Sequence, residues 1–389
     1  MTFQFFRQLG AGVKAGALAL ASFGLAACDP SAMNSGFSGG SGDTVQVALL
    51  VPSGSSDANV AFIGQSLTNA ARLAANDLQG VTVDLRVYDT AGSEALTSQV
   101  TSQAISEGAD VIVGPLYAQS ANAAGRIAAG SGINVLSFSN NPAVAGGNVY
   151  ILGQTFDDTA QRLVRYSSNR GRNRFMVISG NTTAEQVGRD AVVRAVQNGG
   201  GQLVGNRTFE MSQEGVADAA PGIATTALNA GADAVFLTSG PEGALPFLVQ
   251  HLPENGLTTD KVQYMGLTRW DVPASALSLP GLQGGWFAVP DPAAGQNFAN
   301  RYTQAYGAPP HAIAGLAYDG IAAVGALTST GRGLSSTALS QGNGFAGANG
   351  VFRFLPNGTN QRGLAIAQIA NNRVNIIDPA PRRLGGAGF

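Results

Sequence analysis

The stretch Val45-Gln46-Val47-Ala48-Leu49-Leu50-Val51, closed by Pro52, is an apolar run of the kind a parallel strand carries when both of its faces are covered. After a Ser/Gly turn, Ile63, Leu67, Ala70, Ala71 and Ala74 fall on one face of a helix, and Val81, Val83, Leu85 and Val87 then alternate as a second strand. A helix over about 93–107, a strand over 110–114, a helix over 118–129 and a strand over 134–138 extend the pattern. Repeated strand-helix-strand units predict an α/β fold built on a doubly wound parallel sheet with right-handed crossovers.

A second series starts near Asp157, with strands expected over 174–178, 203–209, 234–237 and 263–267 and helices over 184–198 and 243–252. Asp157 and Asp158 read as the first turn of a helix, where carboxylates meet the positive end of the dipole. The folded part runs to roughly 360 residues, beyond what one core usually serves, so two lobes are expected. Val351-Phe352-Arg353-Phe354-Leu355-Pro356-Asn357-Gly358, then 364–369 and 374–377, read as antiparallel strands joined by turns.

Composition narrows the function. With 44% apolar and 12% charged residues, and a formal net charge of −2, the chain is globular and lacks the basic excess that nucleic acid would require. One cysteine excludes a disulfide framework and a cysteine-based zinc site, and His251 and His311 leave little for metal chemistry. No cofactor or metal is expected. Two motifs lack their context. Gly36-Phe37-Ser38-Gly39-Gly40 has neither the strand nor the helix that a nucleophile elbow needs. Gly342-Asn343-Gly344-Phe345-Ala346-Gly347 follows a Ser-rich stretch rather than a strand and reads as a loop. With Lys at only 14 and 261 and no P-loop, an enzyme is not expected.

Arg7 and Lys14 precede a short apolar run over 15–25, the form of a secretory signal too short to span a bilayer. The run ends in Leu25-Ala26-Ala27-Cys28, which resembles the bacterial lipobox and implies that Cys28 is lipidated. Residues 1–27 are then the signal peptide, and 28–43, rich in Gly and Ser, a flexible tether. The expected location is the periplasm, on a membrane. Asp29 has the form of an inner-membrane retention signal, while family resemblance favours the outer membrane.

Arg301-Tyr302, Tyr306-Gly307-Ala308-Pro309-Pro310, Ala317-Tyr318-Asp319-Gly320, and Gly350-Val351-Phe352-Arg353-Phe354 with Asn357-Gly358 and Arg362 resemble the leucine-binding-protein-like family of periplasmic binding proteins. The resemblance covers 44–378. It implies two lobes joined by three crossings, the first about 44–156 with 292–343 and the second about 157–291 with 344–378, followed by a tail over 379–389. It also implies closure by hinge bending near Asp157 and Val289. Val113-Gly114-Pro115-Leu116, Val135-Leu136-Ser137-Phe138-Ser139-Asn140-Asn141, Tyr150-Ile151-Leu152-Gly153 and Gly284-Gly285-Trp286-Phe287 look most like alphaproteobacterial lipoproteins called penicillin-binding protein activators. That resemblance implies a regulator acting on a peptidoglycan synthase; the alternative is a solute-binding lipoprotein that serves an ABC permease.

Ligands in open α/β sheets gather at the carboxyl ends of the strands. The loops there offer Tyr117; Ser137, Ser139 and Asn140; Thr238, Ser239 and Glu242; and Arg269, Trp270 and Asp271. By resemblance, Ser139-Asn140 stands where amino-acid binders hold the ligand carboxylate, and Glu242 where they hold the ammonium. An aromatic expected after Ile178 is replaced by Asn181-Thr182-Thr183 and Val187, which leaves a carried-over amino-acid site incomplete. Ser137, Ser139 and Asn140 equally suit turns and caps. Trp270 can stack on a ligand or plug the lobe interface.

Overall fold

The computed structural model describes residues 43–384. The signal sequence, Cys28, the 36–40 motif, nearly all of the tether and residues 385–389 lie outside the described residues.

The chain first lays down β1 (Asp43–Val51), α1 (Ala58–Asp77), β2 (Val81–Asp89), α2 (Glu94–Ser106), β3 (Val111–Val113), α3 (Ala118–Ala129), β4 (Asn134–Ser137) and β5 (Val149–Ile151). Their strands form a parallel sheet in the order β2-β1-β3-β4-β5. Val47, Leu49 and Val51 of β1 enter one core with Leu67, Ala70, Ala71 and Ala74 of α1. Ala48 and Leu50 enter another on the opposite face, with Ala104 of α2 and Ala124 and Ala128 of α3. Coverage of both faces is why this strand reads as a run and not as an alternation.

The second lobe follows with α4 (Phe156–Ser168), β6 (Arg174–Gly180), α5 (Thr183–Asn198), β7 (Gln202–Phe209), α6 (Gln213–Asn229), β8 (Ala234–Leu237), α7 (Leu245–Glu254), β9 (Gln263–Gly266) and β10 (Trp286–Val289). Here too alternate residues part between two cores: Met176 and Ile178 to one, Phe175 and Val177 to the other. The parallel order β7-β6-β8-β9-β10 repeats that of the first sheet. Helix α4 opens on a capping box: Thr155 Oγ1 accepts from Asp158 N at 3.1 Å, and the Asp158 carboxylate accepts from Thr155 N at 3.2 Å.

The chain then returns to the first lobe through α8 (Pro292–Tyr306) and α9 (Gly315–Ser329), with Ala317, Ile321 and Val324 in the first core. Next come β11 (Phe345–Gly347), β12 (Gly350–Phe354) and β13 (Asn360–Arg362), a separate antiparallel sheet, and finally β14 (Ala365–Ala370) and β15 (Arg373–Asp378) on the edge of the second sheet. Two expectations change here. Phe345–Gly347 of the glycine-rich motif is strand rather than loop, because Phe345 pairs with Phe352. The boundary expected at 343/344 shifts to 363/364: Phe345, Phe352 and Phe354 pack into the first core, with Tyr150 edge-on to Phe354 at 5.5 Å. The three links between lobes are thus 152–155, 290–291 and 363–364.

This topology places the cleft. The first sheet hands the chain over at the carboxyl end of β5, and α4 runs back past its own sheet before β6 begins. The amino end of α4 therefore lies level with the carboxyl ends of the second sheet, and both sheets aim those ends into one space between the lobes.

Candidate functional site

Between the lobes lies a cavity of about 920 Å³. Asn141, Pro142, Arg353, Asn357 and Thr359 line it from the first lobe, and Thr155, Asp157, Asp158, Val187, Asp190 and Arg194 from the second. Much of its charge is internally paired. Arg194 grips Asp157 with two hydrogen bonds of 2.9 and 3.0 Å, Arg189 holds Asp190 at 2.7 Å, and Arg353 Nε donates to Gln361 Oε1 at 2.8 Å. Asp158 differs: it is buried, and that burial raises its carboxyl to about 6 against the opposing pull of the Thr155 hydrogen bonds and of the Arg362 charge.

Asn360, also on the cavity wall, is 3% exposed. Its Nδ2 donates to the carbonyls of Ile151 and Gly153, each at 2.8 Å, and its Oδ1 has no partner among the described residues. Arg362 Nε donates to Leu152 O at 2.9 Å. Side chains of β13, next to the third link, thus clamp the first. Asp158, Asn360 and Arg362 were not among the site candidates read from sequence; Asp158 stood there only as a helix start and Arg362 only as part of a family motif. The bonds of Asn360 and Arg362 join segments some two hundred positions apart, which no local pattern exposes.

The residues singled out from sequence take other roles around this space. The Ser137 hydroxyl donates to Pro115 O at 2.9 Å and accepts from Ser139 N at 3.1 Å, and Ser139 Oγ accepts from Asn141 N at 3.1 Å. Both serines therefore build the turn beyond β4, while Asn140 and Tyr117 are exposed. On the second lobe the hydroxyls of Thr238 and Ser239 both donate to the carboxylate of Glu185, the Ser239 bond measuring 2.8 Å. The same carboxylate accepts from Gly180 N at 3.2 Å. Glu185 went unnoticed in the sequence, although Thr182-x-x-Glu185 is a cap-and-acid spacing, and Thr182 does cap α5. Glu242 is exposed. Arg269 and Asp271 pair with each other at 2.6 Å.

Trp270 neither stacks in the cleft nor plugs the lobe interface. It is fully buried inside the second lobe, tilted against Phe287 at a centroid distance of 6.2 Å. Gly266 and Gly285 make the slot: a Cβ on either would lie 2.2 or 2.6 Å from the indole. The two readings of Trp270, ligand stacking or an interface plug, give way to burial because Gly266 at the end of β9 and Gly285 before β10 leave a ring-sized space that only the folded sheet creates.

Among the described residues no group of three or more His, Cys, Asp or Glu is arranged to hold a metal. The periplasmic binding protein family model matches residues 44–373. The chain belongs to that family. No curated protein matches it. Solved structures of the family share its fold. A protein from Rhodospirillum rubrum assigned to branched-chain amino acid ABC transport superposes with a TM-score of 0.71 at 19% identity, covering 86% of this chain and 100% of its own. A branched-chain amino acid ABC transporter periplasmic ligand-binding protein from Burkholderia xenovorans gives 0.64 at 16% identity, covering 87% and 96%. A leucine binding protein from Thermotoga maritima gives 0.55 at 17%, covering 86% and 98%. The α/β architecture with two doubly wound lobes, expected from the strand-helix pattern, is that of these periplasmic binding proteins.

Proposed function

We propose that this chain is a non-enzymatic, two-lobed binding protein of the periplasm, lipid-anchored through Cys28, that regulates peptidoglycan synthesis by contact with a penicillin-binding protein and whose cleft takes no branched-chain amino acid. The observation that carries the last point is Glu185. Free amino-acid capture requires both charged ends of the ligand to be matched, since an unpaired buried charge costs several kcal/mol. Here the two hydroxyls offered by the loop after β8 are spent on an internal carboxylate, and that carboxylate stands at the start of the helix beyond β6, where no aromatic closes the site. The phrases of 113–116, 135–141, 150–153 and 284–287 support the regulatory reading, and the lipobox at 25–28 supports the anchor.

A second reading has its own support. Structural neighbours of this fold include proteins whose names place them in ABC transport, which favours a solute-binding lipoprotein that delivers to a permease. Calorimetry against the twenty amino acids separates the two. No binding tighter than about 1 mM agrees with the first, whereas a dissociation constant near ~1 μM that Glu242→Ala abolishes would move the assignment to transport. Affinity purification from membranes supplies the other arm, with a synthase co-purifying under the first reading and a permease under the second. Cys28→Ala should release the protein from membranes.

A further inference from the structure

Five carboxamides line the cavity between the lobes: Gln161 on α4, Asn141 beyond β4, Asn357 in the turn between β12 and β13, and Asn360 and Gln361 on β13. Gln161 stands one turn beyond Asp157 and Asp158 on the same face of its helix, which is why all three reach the cavity. Among the described residues its amide has no hydrogen-bond partner. Three other wall amides are engaged on one side only. Asn357 Oδ1 accepts from Thr359 N at 3.1 Å, Asn141 Oδ1 from Ala143 N at 3.0 Å and Gln361 Oε1 from Arg353 Nε at 2.8 Å, which leaves the NH2 group of each without a partner among the described residues. Asn360 is the reverse: its Nδ2 is used twice, and its buried Oδ1 has no partner, a state that costs stability until something donates to it. Charge on this wall cancels. Arg194 pairs with Asp157 and Arg189 with Asp190, and Arg353, bonded to Gln361 Oε1 and Gly342 O, is matched in number by Asp158.

A balanced wall gives an ion no net attraction, and unpaired NH2 and C=O groups side by side suit a ligand whose own groups both donate and accept. Hydroxyls do both. The volume of about 920 Å³ is far more than a free amino acid fills and stands at the upper end of the ~300–1,000 Å³ of small-molecule pockets. We propose that this cavity binds a neutral saccharide, with Gln161 of the second lobe and Asn357 of the first donating to its hydroxyls, and Pro142, Val187 and Leu355 packing on its carbon faces. A capped peptide offers similar groups along two edges only, whereas these amides come at the space from both lobes. The proposal rests on the reading that the cleft takes no branched-chain amino acid, and names what it takes instead.

The full chain carrying Cys28→Ser is titrated calorimetrically with maltose, which offers hydroxyls alone, with N,N′-diacetylchitobiose, which adds acetamido groups, with capped trialanine and with leucine. Each titration is repeated for Gln161→Ala, whose amide bonds nothing in the described fold, and for Asn357→Asp, which keeps the acceptor for Thr359 and loses the NH2 group. Gln250→Ala, an exposed carboxamide on α7 outside the cavity, is the control. Melting curves confirm that all fold. The expected result is that at least one saccharide binds, and that at least one of the two cavity variants weakens it tenfold or more while the control does not. The proposal is overturned if neither saccharide binds, whether or not trialanine does, or if both cavity variants bind the saccharide as the parent does. Leucine reads the other claim: its binding would overturn the exclusion of branched-chain amino acids and leave the saccharide titrations to decide this one.

Discussion

Arg362 lies 2.8 Å from Asp319, and the two side chains are 3% and 0% exposed. The carboxylate also accepts from Ala348 N at 2.7 Å, while the guanidinium donates to Leu152 O. One buried ion pair thus joins α9, the turn between β11 and β12, β13 and the first link between lobes. Removing one partner of such a pair strands a charge, so Asp319→Ala should destabilise the protein by about 3–5 kcal/mol. Replacing both by apolar residues of similar volume should cost less than either single change. Urea unfolding of the three variants checks this, and equal losses in all would contradict it.

Asp158 gives a pH signature. Its folded value of about 6 stands above the ordinary aspartate value of about 3.9, so the native state holds the proton more tightly than the unfolded chain does. Its contribution to stability is full below about pH 4 and is lost as pH rises through 6. Asp158→Asn keeps the acceptor for Thr155 and carries no charge, so it should be the more stable form at pH 7.5, by ~1–3 kcal/mol, and should flatten the decline between pH 4 and 6. Thermal melts across that window would refute the assignment if the two proteins ran parallel.

Glu185 holds three donors: Thr238, Ser239 and Gly180 N. Glu185→Ala should cost about 1–3 kcal/mol because it leaves the buried Ser239 hydroxyl unmatched and Thr238 with only its bond to Ile178 O. Glu185→Gln, which retains one acceptor, should cost less. Chemical denaturation ranks them, and an alanine variant as stable as the parent would show that the cluster is ornamental.

Trp270 is a packing residue of the second lobe. Trp270→Ala should cost about 3–5 kcal/mol, whereas Trp270→Phe, which keeps a ring in the slot left by Gly266 and Gly285, should cost less. Urea unfolding ranks the two, and an alanine variant as stable as the parent would contradict the packing role.

The alternation of apolar runs and helical faces was enough to reveal the α/β fold, since burial of the central strands on two faces is written into short apolar runs such as those over 45–51 and 111–113. Single motifs were legible where their context was local, as at the start of α4, whereas the 342–347 glycines, expected as a loop, run into strand β11. The lobe boundary at 363/364 was not, because Phe352 and Phe354 declare only that β12 has a buried face, and the identity of the core that receives them is settled by contact with Tyr150. The cleft candidates stayed ambiguous for the same reason. A serine in a strand-end loop has the same sequence signature whether it meets a ligand, a backbone carbonyl or a glutamate 54 positions away. Sequence set which segments become strands and helices, because hydrophobic burial follows a period of two or 3.6 along the chain. Which polar groups remain free for a ligand was decided only in the tertiary structure, because hydrogen bonds such as those of Glu185 and Arg362 are short-ranged and form between segments that only the fold brings together.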